Sequence, residues 1–373
     1  FFSIMNKAIY LCAAAALALA SCSNDETVEM AQQKGISFRA VTGLNTRASE
    51  VTTANLSALK VTAFWDKNNN KYDGFDTEVD YVKDGGVFNS ADSKFWPKDE
   101  NEVLSFTAFS DNWTGTKTIT DKNTISVGGV AINADVDMQA DMVYVTGVTG
   151  TKAANETNGV ALVLEHALSQ IQISAKSDNK VYTYQVKGIR ISNVDGVADF
   201  DVVADKWSNN GANDQVYKVE YNTPITLNGD AKSIMKAESN NLMLLPQAGV
   251  NNTGTTTAWD VKADKENANK GTYISVLLRI TKTADNSNVY PAEGADTYGW
   301  AAVPASFTWK KGNKYVYTLD FTNGAGRVDP VDPGTEVDPG NKDPGKGDKI
   351  LGDPIKFTVT VTPWNPTDND INM

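Results

Sequence analysis

The chain has 373 residues, 41% of them hydrophobic, which is enough for two cores of ordinary size. Its formal net charge of -12 argues against a nucleic-acid partner, which needs a basic face over the phosphates. Two cysteines, Cys12 and Cys22, both near the start, and one histidine, His166, exclude a disulfide, a thiolate metal site and a multi-histidine site from the folded part.

In chain order, Met5-Asn6-Lys7 is a short positive region, with Met5 read as the initiator. Ala8 to Ala20 is an apolar run too short for a bilayer, which takes about 20 residues, but right for a signal-peptide core. Residues 1–21 are therefore expected to be a signal peptide. Leu19-Ala20-Ser21-Cys22 reads as a lipobox, so Cys22 becomes the acylated first residue of a propeptide over 22–47. Several acyl chains on one cysteine hold a precursor firmly to a membrane. The alternative is an ordinary secretory signal with an incidental cysteine. Ser23-Asn24-Asp25-Glu26 follows as an acidic tether or an export tag.

Gly35 to Val41 is the first predicted strand, with Ile36, Phe38 and Ala40 on one face because side chains alternate with period two. Leu44-Asn45-Thr46-Arg47-Ala48-Ser49 is polar, and exposed loops are where proteases nick. A trypsin-like enzyme would cut after Arg47 and leave Ala48 first. Arg39 also precedes an alanine, but it lies inside the strand.

Further alternating stretches follow, among them Leu59–Phe64, Val103–Phe109, Met142–Val145, Ile171–Ile173, Tyr273–Ile280 and Tyr315–Phe321. Asp73-Gly74, Gly85-Gly86, Asn158-Gly159, Asp195-Gly196, Asn228-Gly229 and Asn323-Gly324 supply turns between strands. Short helices are expected at Ala161–Ser169 and Asp230–Glu238. The small, polar stretch Gly150–Gly159 predicts a break between domains at 48–157 and 158–373. Residues 327–352 repeat Asp-Pro and Pro-Gly units and read as an extended linker that buries no core. Ile355–Trp364 is again a strand, with Ile355, Phe357, Val359 and Val361 on one face.

The two terminal strands look interchangeable. A tethered first strand blocks its groove at high effective concentration. Once cut free it can leave, and the C-terminal strand of another copy can take its place. That is head-to-tail strand addition, which builds filaments. The alternative is that both ends are ordinary edge strands of closed domains.

The lipobox, Arg47, Leu162 to Ile171, Asn241 to Gln247 and Phe307 to Tyr317 resemble, in their order, the fimbrillin family of type V pili from the Bacteroidales. The resemblance implies a mainly β chain: two tandem antiparallel β-sandwich domains of transthyretin-like or Greek-key type, with few short helices. It implies export as a lipoprotein, cleavage by an arginine-specific protease, and loss of the first strand (Ile36, Phe38, Ala40). It also implies donor-strand exchange through Ile355, Phe357, Val359 and Val361. Its partners would be further copies of the chain and accessory pilus subunits, with no cofactor and no enzymatic activity. A surface glycan-binding lipoprotein or a pilus tip adhesin is the alternative, resting on the eight tryptophans as a sugar-stacking platform. Core packing is the commoner use of such rings.

Asp66 to Lys71 has oxygen-bearing side chains at alternate positions, but Lys71 and Thr77 stand where a calcium loop needs Gly and Glu. It reads as a hairpin turn. His166 lies in an apolar stretch without a nucleophile to serve and reads as structural.

Overall fold

Period-two alternation becomes strand almost throughout the computed structural model, which describes residues 34–41, 51–52, 54–236, 240–250, 267 and 271–364. The first part of the chain contributes β1 (Phe38–Val41), β2 (Ala58–Trp65), β3 (Val79–Asp84), β4 (Val87–Asn89) and β5 (Leu104–Ser110). There follow β6 (Thr116–Asp121), β7 (Thr124–Ala131), β8 (Val143–Gly150), β9 (Val160–Val163) and β10 (Glu165–His166). Next are β11 (Ser169–Lys176), β12 (Tyr182–Val194), β13 (Val197–Asp201), β14 (Lys206–Asn209), β15 (Gln215–Thr226), β16 (Lys232–Ser233) and β17 (Leu242–Leu244). The last are β18 (Tyr273–Lys282), β19 (Asn288–Tyr290), β20 (Gly299–Pro304), β21 (Asn313–Asp320), β22 (Arg327–Val328) and β23 (Lys356–Pro363).

The N-terminal sheet has eight strands in the order β10-β8-β5-β2-β3-β4-β1-β9. It curls around its own core, so Phe38 on β1 meets Tyr81 on β3 and Phe106 on β5, with ring centroids 4.8 and 5.1 Å away. The C-terminal unit is a sandwich. One sheet runs β16-β11-β21-β23, with β17 also on β11; the other runs β15-β12-β18-β20-β22, with β19 on β18. Ile171, Ile173, Tyr317 and Leu319 of the first face Ile189, Ile191, Val276 and Leu278 of the second in one buried cluster. The mainly β expectation holds, with mostly antiparallel pairing. The exceptions among the named strands are β1 with β9 and β11 with β21, which run parallel.

Several local expectations differ from the structure. Ala161–Ser169 is strand rather than helix: Val160, Leu162 and Leu164 are buried while Ala161 is exposed, so the period is two. Lys232–Ser233, inside the second expected helix, pairs with β11; residues 237–239 there lie outside the described set. The polar stretch at 150–159 is a crossover within the N-terminal sheet, carrying one helical turn (Lys152–Asn155) capped by Thr151. The sheet therefore continues past 157 through β9 and β10. A fourth sheet, β14-β13-β7-β6, takes strands from both sides of the expected break. It covers a cluster in which Phe109 and Val127 pack with Phe200, Met243 and Trp364, so the two units share a core.

The Asp-Pro segment is folded, not extended. Asp329 is fully buried and accepts hydrogen bonds from Ser275 Oγ (2.6 Å), Tyr273 Oη (3.3 Å) and the N–H groups of Val331 and Asp332 (2.9 Å each). Arg190 lies 2.7 Å from it and 2.9 Å from Asp332, with its guanidinium over the Trp300 ring. Burial pushes the Asp332 carboxyl up, but the hydrogen bond and charge of Arg190 outweigh this and hold it below its usual range. Further along, Asp343 accepts from the N–H groups of Ala292 and Asp338, and Glu336 from that of Tyr298. The carboxylates that looked solvated cap the turns that the prolines and glycines make. The segment is a strap tied across the β20 side of the sandwich.

Candidate functional site

The site has two halves, a filled slot and a spare strand. β1 fills the slot between β4 and β9. It pairs antiparallel with β4 at Phe38–Phe88, and parallel with β9 at Phe38–Val160, Arg39–Ala161 and Ala40–Leu162. Ile36, Phe38 and Ala40 point into the core at 2%, 0% and 7% exposure, while Arg39 is exposed. The Ile36 N–H donates to Lys94 O at 2.6 Å and the Val160 N–H to Ser37 O at 2.9 Å. Gly159 lets the strand approach: its φ is +73°, and a Cβ there would sit 3.0 Å from Ser37 O. Phe106, Tyr81, Phe88, Val160 and Leu162 make the slot apolar. Burial also pushes the Tyr81 phenol well above its ordinary pKa, so it stays neutral. Arg39 is enclosed in a strand paired on both sides, a poor substrate for a protease that needs extended backbone.

The spare strand is β23, at the outer edge of the C-terminal sheet. It pairs antiparallel with β21 from Asn313–Pro363 to Asp320–Lys356. Phe357, Val359 and Val361 stand opposite the buried Leu319, Tyr317 and Tyr315, so they share the core-side face. Yet the row runs off the covered part of that face. Ile355 is 8% exposed, Phe357 is half-buried, and Val359 and Val361 rise to 39% and 51%. The structure does not bring the two apolar rows together: they belong to different sheets. Cys22, Arg47 and Ala48 lie outside the described residues.

Beyond β23, Trp364 returns to the shared core at 4% exposure and stacks on His166, with centroids 3.9 Å apart and planes at 10°. The His166 Nδ1 lies 2.9 Å from Asp141 Oδ2, and the same oxygen accepts the Val51 N–H at 2.7 Å. Sequence reading missed this junction, because no short-range pattern links residues 51, 141, 166 and 364. The other described tryptophans are also packing residues. Trp96, Trp300 and Trp309 are buried, Trp65 packs on Tyr72, and Trp113 stacks with Trp207 at 6.4 Å and 2°. Trp259 lies outside the described residues. The Asp66–Lys71 segment is a turn closed by Trp65 N–H to Asn70 O at 2.8 Å, with Asp66 bonded to Lys122.

Among solved structures, a candidate cell adhesion protein from Bacteroides uniformis is similar over 89% of this chain and 99% of its own, at 14% identity and a TM-score of 0.47. One from Bacteroides ovatus covers 90% and 99%, at 14% and 0.47. The tip fimbrial protein Mfa3 from Porphyromonas gingivalis, truncated at its C-terminus, covers 88% and 99%, at 12% and 0.36. A search of curated proteins returned no match. The Fimbrillin-like family model matches residues 46–364, from the threonine before Arg47 to the tryptophan that closes β23, and by this match over most of its length the chain belongs to the Fimbrillin-like family.

Proposed function

We propose that this chain is the stalk subunit of a surface pilus, assembled by exchanging β1 for the β23 of another copy. The observation that carries this reading is a shared row. Ile36-Ser37-Phe38-Arg39-Ala40 fills the slot, and Ile355-Lys356-Phe357-Thr358-Val359 repeats its apolar spacing on a strand whose row is partly uncovered. In the slot a donor would have neighbours on both sides rather than one. Its Phe357 would take the place of the fully buried Phe38. Full burial of one such side chain contributes about 1.5–3 kcal/mol, so exchange improves on the edge position.

In this scheme the precursor is exported as a lipoprotein acylated at Cys22 and held at the outer membrane. An arginine-specific protease cuts after Arg47, and the strand before the cut, no longer covalently held, is lost. A stalk subunit needs both a slot that cleavage opens and a donor, and this chain carries both. The strap moves the expected pivot. Because residues 327–352 are tied down, and the Asp353 N–H donates to Asn323 O at 2.7 Å, the donor turns beyond Asp353, at Pro354. Neither a catalytic residue nor a cofactor enters the scheme.

The test is electron microscopy of the purified full chain with and without an arginine-specific protease, with N-terminal sequencing of any polymer. Filaments only after treatment, built of chains beginning at Ala48, are the expected result. Filaments of uncut chain, or chains beginning at Ala40, overturn the scheme.

A further inference from the structure

Asp141 and His166 are wholly enclosed, with no exposed side-chain surface on either. They sit where the two working ends of the molecule converge. On one side, Asp141 Oδ2 accepts the N–H of Val51, whose side chain packs against the core that seats Phe38. On the other, the His166 ring lies flat against Trp364, the residue that follows β23. The Trp364 N–H donates to Gly312 O at 2.7 Å, and the Gly312 N–H to Leu168 O at 2.9 Å, so the tryptophan is tied to the same turn of chain that carries His166. Asp141 itself is held by Asn112, whose Nδ2 donates to its carbonyl at 2.7 Å.

We propose that the Asp141–His166 pair couples the two ends, so that loosening the chain at Val51 loosens the donor strand at Trp364, and the reverse. A buried carboxylate must keep its hydrogen bonds filled. When the Val51 N–H leaves, the carboxylate turns toward its remaining partner, and the imidazole tilts with it. A parallel stack at 3.9 Å tolerates little tilt, so Trp364 loses its seat and β23 its terminal anchor. Linkage makes the effect reciprocal: departure of Trp364 weakens the hold on Val51 by the same factor. The purpose of this device rests on the strand-exchange reading above. It would keep the donor at home until processing has disturbed the chain beside Val51.

The test uses the uncut, full chain as a monomer and reads hydrogen–deuterium exchange by mass spectrometry. Asp141→Asn and Val51→Pro are each expected to speed exchange in 356–363 about tenfold, or about 1.4 kcal/mol. Trp364→Ala is expected to speed exchange at Val51 by a similar factor. Amides of β12 and β18 should keep their unmodified rates. If Asp141→Asn unfolds the chain, the other two variants carry the comparison. Faster exchange only on the substituted side, with the far end unchanged, overturns the coupling. The readout involves neither cleavage nor polymer. Coupled amides in a chain that never forms filaments would leave this inference standing and remove the pilus reading.

Discussion

Replacing Phe357 by aspartate separates the two positions that the donor strand is proposed to occupy. On its own sheet Phe357 is half-buried at an edge, with its ring 6.2 Å from Tyr317, and water reaches a carboxylate placed there. The monomer therefore loses less than the ~1.5–3 kcal/mol of a fully buried phenylalanine. In the slot the same side chain takes the place of Phe38, which is 0% exposed between Tyr81 and Phe106. There the variant forfeits the full burial term and also places an unpaired charge in an apolar site, which costs several kcal/mol more. The difference between the positions is at least about 3 kcal/mol, more than a hundredfold in donor occupancy. Thr358→Asp is the control, because Thr358 would replace the exposed Arg39. Sedimentation of protease-treated protein should show polymer lost in Phe357→Asp and nearly unchanged in Thr358→Asp, with both monomers folded. Equal yields from Phe357→Asp and the unmodified chain would refute the donor assignment.

Three further outcomes are expected. A Thr318→Cys/Thr358→Cys pair, opposite each other in the antiparallel ladder, should lock β23 at home when oxidised; protease-treated protein should then stay monomeric until reductant is added. Assembly by the oxidised form would show that β23 need not leave. Asp329→Asn should destabilise the C-terminal unit by about 3 kcal/mol in urea unfolding, since it weakens a buried partner of Arg190; a change below about 0.5 kcal/mol would mean that the strap is not tied there. Cys22→Ala should abolish lipid labelling and membrane partition of the precursor, and retained label would remove the lipoprotein step.

The parts of the site that lie in local alternation were legible in the sequence. Ile36, Phe38 and Ala40 share a buried face of β1 as period two requires, and Phe357, Val359 and Val361 share one face of β23. What the alternation could not convey is that the second row is left half uncovered, since that depends on where the facing sheet stops. The strap was illegible for a related reason. Its Asp-Pro-Gly composition is that of a solvated linker, and its fixings are Arg190, Tyr273, Ser275 and Trp300, all distant in sequence. The run Ala161–Ser169 misled because a helix and a buried strand are both dense in Leu, Val and Ala; the exposed Ala161 between two buried neighbours decides it only once burial is known. The shared sheet of β7 and β13 hid behind a polar loop that resembled a domain linker.

The central claim is that the slot of one copy receives the β23 of another. In β1, Arg39 stands beside Ala161 in the parallel ladder with β9, and both are exposed. If the donor takes the same register, Thr358 of one subunit lies beside Ala161 of the next, within disulfide distance. In the monomer Thr358 instead faces Thr318 on a different sheet. A chain carrying both Thr358→Cys and Ala161→Cys should, after protease treatment and oxidation, give a ladder of covalent oligomers on denaturing gels, with no such ladder from uncut protein. Filaments that form from this variant without the ladder would contradict the account.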